Sequence, residues 1–360
     1  MAKFSEVLNI INGKNQKAVE NPNGIYPIYG SGGIMGYADD YICKPNTVII
    51  GRKGSINNPI YVETPFWNVD TAFGLEAHVD KLFPKYLFYY CLFFDFEKLN
   101  TTVTIPSLTK QNLLKIDIPL PPLETQKQIA ATLDKVTHTI DLCNEILEKL
   151  DLLVKARFVE MFGDPISNPH NWEKKSLSEL AEIKIGPFGS LLHKEDYIEN
   201  AHALVNPSHI IEGKIAVDLK LTVSNEKYEE LSAYHLFIDD VVMGRRGEMG
   251  RCAVVTENGL LCGTGSMIIR SNGILKADFI LKIISFPSFK KTIEDMAVGQ
   301  TMPNLNVPIV SNFMIICPPL EVQEQYYSFA EQTDKSKLAV QQVLEKAETL
   351  KKALMQEYFG

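Results

Sequence analysis

Two turns in this chain set adjacent cations between glycines: Gly51-Arg52-Lys53-Gly54 and Gly244-Arg245-Arg246-Gly247. Each follows a short β-rich run, TVII at 47–50 and DVVM at 240–243, before breaking into glycine, which is the pattern of a strand entering a tight turn. An arginine on such a turn can offer two parallel donors to guanine in a DNA major groove, whereas lysine more often contacts phosphate. The glycines let the backbone approach a groove closely. After the shared Gly-Arg the tips diverge, to Lys-Gly-Ser-Ile-Asn-Asn in one and Arg-Gly-Glu-Met-Gly-Arg in the other. Unlike tips on a shared scaffold are expected if each reads a different short sequence. A solvated basic hairpin would satisfy the same spacing.

Enzyme signatures are weaker. GSGG at 30–33 and GTGS at 263–266 lack the GxGxxG spacing and the strand–helix setting of a cofactor loop, so they read as turns. Asn58-Pro59-Ile60-Tyr61 resembles an amino-methyltransferase NPPY motif without its second proline, and a strand start explains it better. The seven histidines have no metal-ligand spacing. The six cysteines are scattered without CxxC pairs and read as reduced core residues. No catalytic or metal site is expected.

The elements that must hold the basic turns form a repeat. Shifted by 197 positions, Pro121–Gly163 matches Pro318–Gly360 without a gap, with PPLETQ against PPLEVQ and Phe-Gly closing both. TIPSL (104–108) faces TMPNL (301–305) at the same offset. The offset is 193 for TVIIGRKGS (47–55) against DVVMGRRGE (240–248), and 173 for SEVLNIING (5–13) against SELAEIKIG (178–186). The order of anchors never changes, so the second copy carries an insertion after Gly186. The chain is two copies of one unit, a globular part followed by a long helix.

In the first copy Ile129, Leu133, Val136, Ile140, Cys143, Leu147, Leu150 and Val154 are spaced alternately four and three, a heptad seam that predicts a helix over Glu124–Met161. Pro121-Pro122 opens it and Gly163-Asp164-Pro165 ends it. At 1.5 Å per residue it is roughly 57 Å long. The second helix keeps the seam only in its later part, at Val340, Leu344, Ala347, Leu354 and Tyr358. Its early SFAEQTDKSK is polar, so the two helices are expected to pack unevenly. Each stripe is most naturally buried by the other helix. The globular parts read as strands and loops, with extra helices around Pro84–Asn100 and Lys276–Met296. The expected class is α+β, divided into globular 1–118, helix 119–164, globular 165–316 and helix 317–360.

The net charge is −8, against a general polyanion binder. Residues 1–118 are neutral and 165–316 carry −3, while the helical stretches carry −3 and −2. The helices are therefore better protein-docking surfaces than DNA binders. No apolar run reaches a membrane span and MAKFSEVLNI lacks a signal-peptide pattern, so a cytoplasmic location is expected.

In combination these residues resemble the specificity subunit of type I restriction–modification systems. The resemblance covers essentially the whole chain. It rests on PPLETQKQIA, PPLEVQEQ, YPIYGSGGIMGY (26–37), IIGRKGS (49–55), KIGPFGSLLHKEDY (184–197), GRRGEMG (244–250) and the Phe-Gly ends. It implies two target-recognition domains separated by an antiparallel pair of coiled-coil helices, a pseudo-twofold internal repeat. Each domain would read one half of a split site in double-stranded DNA. Two modification subunits binding adenosylmethionine would methylate adenine in each half, and a translocating restriction subunit would join them. The chain itself would be non-catalytic and without cofactor. The candidate DNA contacts are Tyr29, Ser31, Arg52, Lys53, Ser55, Asn57 and Lys110 in the first copy, and Ser190, Arg245, Arg246, Glu248 and Arg251 in the second. The candidate spacer and partner-docking residues are Leu133, Val136, Ile140, Leu147, Leu150, Val154, Val340, Leu344 and Leu354. The chain starts almost at its first domain, so no extra N-terminal docking segment is expected. The acidity implies weak DNA binding without partners. A fused methyltransferase would need the cofactor loop and NPPY motif missing here, and a coiled-coil scaffold would lack salt-dependent DNA binding.

Overall fold

The apolar runs that precede the basic turns form central strands of two equivalent sheets. The computed structural model describes residues 1–100, 107–188, 191–247, 250–296 and 304–360. By contact the chain divides into Met1–Glu148 with Lys337–Gly360, and Lys149–Ser336. Each long helix, Leu123–Phe162 and Leu320–Phe359, is therefore shared between the two units.

In the first unit an antiparallel sheet runs in the order Leu8–Asn12, Ala72–Ala77, Thr47–Gly51, Ile60–Val62. Thr47–Gly51 is buried along its whole length, which is why its sequence is a continuous apolar run rather than an alternating one. Val48 and Ile50 share a core with Tyr86, Leu87 and Tyr90 of the helix Pro84–Phe93. A second, three-stranded sheet is ordered Gly33–Ala38, Tyr26–Gly30, Trp67–Asn68.

The second unit repeats the plan. Ala181–Ile185, Ser266–Ser271, Asp240–Gly244 and Cys252–Val254 form a sheet in the same order, with Asp240–Gly244 fully buried. The helix Ala277–Ile284 corresponds to Pro84–Phe93, and Val241 and Met243 share its core. The buried Asp240 carboxylate accepts from Arg270 Nε and Nη2, both at 2.7 Å, so its charge is compensated. The second sheet of this unit has five strands, ordered Tyr197–Ile198, Thr222–Val223, His202–Val205, Leu260–Cys262, His235–Leu236, with Leu260–Cys262 parallel to His202–Val205 as Trp67–Asn68 is to Tyr26–Gly30. It stands where the first copy has three strands.

The heptad positions of the first helix are covered as the spacing required. Leu133 and Cys143 are buried, and Val136, Ile140, Leu147, Leu150 and Val154 are half-buried. In the first unit the two helix segments run in opposite directions. Ile129 and Thr125 line one hollow with Tyr358 and Glu357, while Ile140 lines another with Glu348, Lys351 and Met355. In the second unit Phe158 and Phe162 lie against Tyr326, at ring-centroid distances of 5.4 and 5.5 Å.

The expected unevenness of the second helix needs correction. Its covered positions continue through the polar stretch as Gln323, Tyr326, Ala330, Thr333 and Lys337, and reach Val340, Leu344 and Leu354 without a break. Thr333 is only 6 % exposed, and its hydroxyl is satisfied there by donating to the Phe329 carbonyl at 2.9 Å. A threonine satisfied by its own helix can occupy a seam position that composition alone reads as polar. The six cysteines are unpaired, and five are buried.

Candidate nucleic-acid interface

The two basic turns are braced by the same backbone hydrogen bonds. Arg52 N–H donates to the Thr71 carbonyl at 2.8 Å, and the Arg52 carbonyl accepts from Leu108 N–H at 2.9 Å. Arg245 N–H donates to the Gly265 carbonyl at 3.0 Å, and its carbonyl accepts from Leu305 N–H at 2.9 Å. The next residue bridges the same returning segment, Lys53 to Ser107 and Arg246 to Asn304. Leu108 and Leu305 end the repeated TIPSL and TMPNL motifs, and the last two residues of each motif brace the basic turn.

Glycine is required at two positions of this turn. Gly54 and Gly247 take φ values of +79° and +81°, a left-handed conformation that side chains disfavour. A Cβ on Gly51 would overlap the Ser55 carbonyl. The result is a short, pinned loop with exposed cations at Arg52, Lys53 and Arg246. The Arg52 guanidinium lies 5.7 Å from the centre of the Phe73 ring. Arg245 is half-buried, and its Nε donates to Asn304 Oδ1 at 3.2 Å. Burial, with the Arg246 charge second, pulls the Arg245 guanidinium below its ordinary pKa.

The other candidate residues are placed unequally. Ser31 sits in the hairpin tip beside Gly51, and Ser55 is exposed on the basic turn. Tyr29 is half-buried on the strand Tyr26–Gly30 with its ring 5.4 Å from Phe66; burial, then Tyr37, raises its pKa. Asn57 is exposed; its Nδ2 donates to Asp95 at 3.0 Å and its Oδ1 accepts from Phe96 N–H at 2.7 Å. Lys110 Nζ donates to the Ile10 carbonyl at 2.7 Å, holding the following segment on the sheet. Arg251 Nη1 donates to the Pro207 carbonyl at 3.2 Å. Ser190 and Glu248 lie outside the described residues. Among the described residues no group of three or more His, Cys, Asp or Glu could hold a metal ion.

Two pairs missed by motif reading tie each sheet domain to the long helices. Gln126 and Gln323, both fully buried, are the glutamines of PPLETQ and PPLEVQ. Phe162 and Phe359 close the two helices. Phe359 packs on Tyr86, Tyr90 and Phe93 with centroids 5.1, 5.8 and 5.9 Å away. Phe162 packs on Phe279 at 4.9 Å. Their repetition at a constant offset was the available signal.

The repeated domain has a counterpart in known proteins. The family model for the type I restriction modification DNA specificity domain matches residues 1–152 and again 169–349. The chain belongs to this family. As a specificity subunit it is the non-catalytic, DNA-recognising component of type I restriction–modification. It is 26% identical over 310 residues to the MjaVIII specificity subunit of Methanocaldococcus jannaschii, covering 79% of this chain and 71% of that one. It is 21% identical over 332 residues to the EcoBI specificity subunit of Escherichia coli, covering 82% and 70%. The crystal structure of a type I S subunit from M. genitalium superposes with a TM-score of 0.62 at 15% identity, over 100% of this chain and 95% of that one. At that identity the likeness is one of fold.

Proposed function

We propose that each domain of this specificity subunit reads one half of a split site in double-stranded DNA, chiefly through its basic turn. The observation that carries this reading is the pair of turns themselves. Their backbones are braced identically, while the residues after Gly-Arg differ between the copies. A constant mount with variable tips suits two heads that read unlike sequences. The long helices act as spacer and docking surface for two modification subunits, which bring adenosylmethionine and methylate adenine. A translocating restriction subunit completes the assembly. This chain needs no cofactor of its own and works in the cytoplasm; no helix among its described residues is long and apolar enough to cross a membrane. The test is to exchange residues 165–316 for those of a relative and map methylation. One half-site should change and the other persist. A change in both would overturn the assignment of one domain to one half-site.

A further inference from the structure

A second turn leaves each sheet beside the basic one. In the second unit, strands Ala181–Ile185 and Asp240–Gly244 flank Ser266–Ser271 and run in the same direction. Both therefore end at Ser266. Gly186 N–H donates to the Ser266 carbonyl at 3.0 Å, and Arg245 N–H donates to the neighbouring Gly265 carbonyl at 3.0 Å. In the first unit Gly13 N–H donates to Ala72 at 3.3 Å and Arg52 N–H to Thr71 at 2.8 Å. The geometry is thus repeated: two loops spring from one sheet end, anchored to consecutive carbonyls.

Their contents differ in kind. The first copy continues from Gly13 as Lys14-Asn15-Gln16-Lys17, with both lysines exposed. The second continues from Gly186 as Pro187-Phe188. Gly186 and Pro187 are buried, whereas Phe188 is 65 % exposed. A Cβ on Gly186 would overlap the Gly263 carbonyl, so the chain is pressed onto the sheet up to the proline and then turns the phenylalanine outward. Leaving most of an aromatic ring in water forgoes the free energy of burying its apolar surface. At the end of the sheet that carries Arg246, the surface that can cover it is the one the basic turn addresses.

We propose that Phe188 is an apolar contact to the bases of the half-site read by the second domain, and that Lys14 and Lys17 take the corresponding place in the first as phosphate contacts. The proposal rests on the DNA-reading role of the basic turns. Phenylalanine meets DNA through its ring, against base edges or as a wedge between base steps, and contributes nothing to counterion release. Lysine does the reverse.

The test uses the full chain assembled with its modification subunit on a duplex containing its site. Phe188→Ala should weaken binding about tenfold, in the range for base–aromatic contacts, without altering the slope of log affinity against log salt. Phe188→Trp should retain most of the affinity. Lys14→Ala should lower the slope by about one unit. Arg246→Ala is measured in parallel. Loss of binding in Arg246→Ala with full binding in Phe188→Ala would overturn the proposal and leave the basic turn's role intact. Unchanged binding in every variant would overturn both. Thermal unfolding of Phe188→Ala should match the parent, since the ring is exposed; a destabilised variant would show the ring to be structural and would also count against the proposal.

Discussion

Gln126 reaches from the first long helix to Phe83 N–H, accepting through Oε1 at 2.8 Å, at the start of the helix Pro84–Phe93. Its Nε2 donates to the Lys81 and Pro121 carbonyls at 2.9 and 2.8 Å. Gln323 repeats the arrangement, accepting from Lys276 N–H at 3.0 Å and donating to Ile274 and Pro318 at 3.3 and 2.9 Å. Neither Phe83 nor Lys276 makes a side-chain cap of its own. A buried helix start needs a partner for its N–H groups, and here it comes from a different helix. This is what the repeated PPLExQ accomplishes: it joins each sheet domain to the long helix that follows it.

Gln126→Leu should therefore cost about 1–3 kcal/mol, because it leaves a buried N–H and two carbonyls unpaired. Chemical denaturation measures it, and hydrogen exchange should place the loss at the start of Pro84–Phe93. Gln323→Leu should do the same at Ala277–Ile284. Wild-type stability in both variants would refute the capping role.

Phe359 belongs to the core of the first domain although it lies at the far end of the chain. Phe359→Ala should destabilise that domain by about 3 kcal/mol, as removal of a buried ring does, and leave Lys149–Ser336 unaffected. Hydrogen exchange should show faster opening of the helix Pro84–Phe93 and unchanged protection in Lys149–Ser336. Unchanged protection in the first domain would contradict the packing of Phe359 on Tyr86 and Tyr90.

Charge governs a third expectation. With a net −8, the isolated chain should bind DNA weakly at physiological salt and become selective when its modification subunit is added. In the complex, Arg246→Ala should lose either about 1–3 kcal/mol of discrimination at one base or about one unit of salt slope across all sequences. Titration against site and non-site duplexes at several salt concentrations separates these. Tight selective binding by the chain alone would contradict the expectation.

The spacer role predicts a change of register. Duplicating four residues near Leu147 adds about 6 Å of helix and keeps the seam nearly in phase. The gap between half-sites should lengthen by about one or two base pairs at about 3.4 Å each, with both half-site sequences unchanged. Inserting two residues turns the seam by about 200° and should impair assembly. Methylation mapping reads both. An active four-residue variant with the original gap would show that the helices do not set the distance.

What could be read from the chain alone was local or periodic. The seam from Leu133 to Val154 repeats every few residues, and helix geometry converts that spacing directly into a face. The basic turns were visible because glycine and an apolar run determine a strand end within a few residues. The repeat carried the fold class, since two copies of one pattern must solve the same packing problem. Residues whose role depends on distant parts of the chain were not legible. Asn57 and Lys110 are candidate contacts by residue type alone, and nothing in their spacing shows that they also hydrogen-bond to Asp95, Phe96 and Ile10. Thr333 looked solvated, but a hydroxyl returned to Phe329 lets it sit in the seam. Phe359 looked like a chain end and proved to be a core residue some 270 positions from Tyr86, Tyr90 and Phe93. Sequence spacing constrains only what backbone geometry propagates over a few turns. Which buried donor meets which acceptor, and which ring fills which cavity, is decided when the antiparallel helix segments close on each sheet domain.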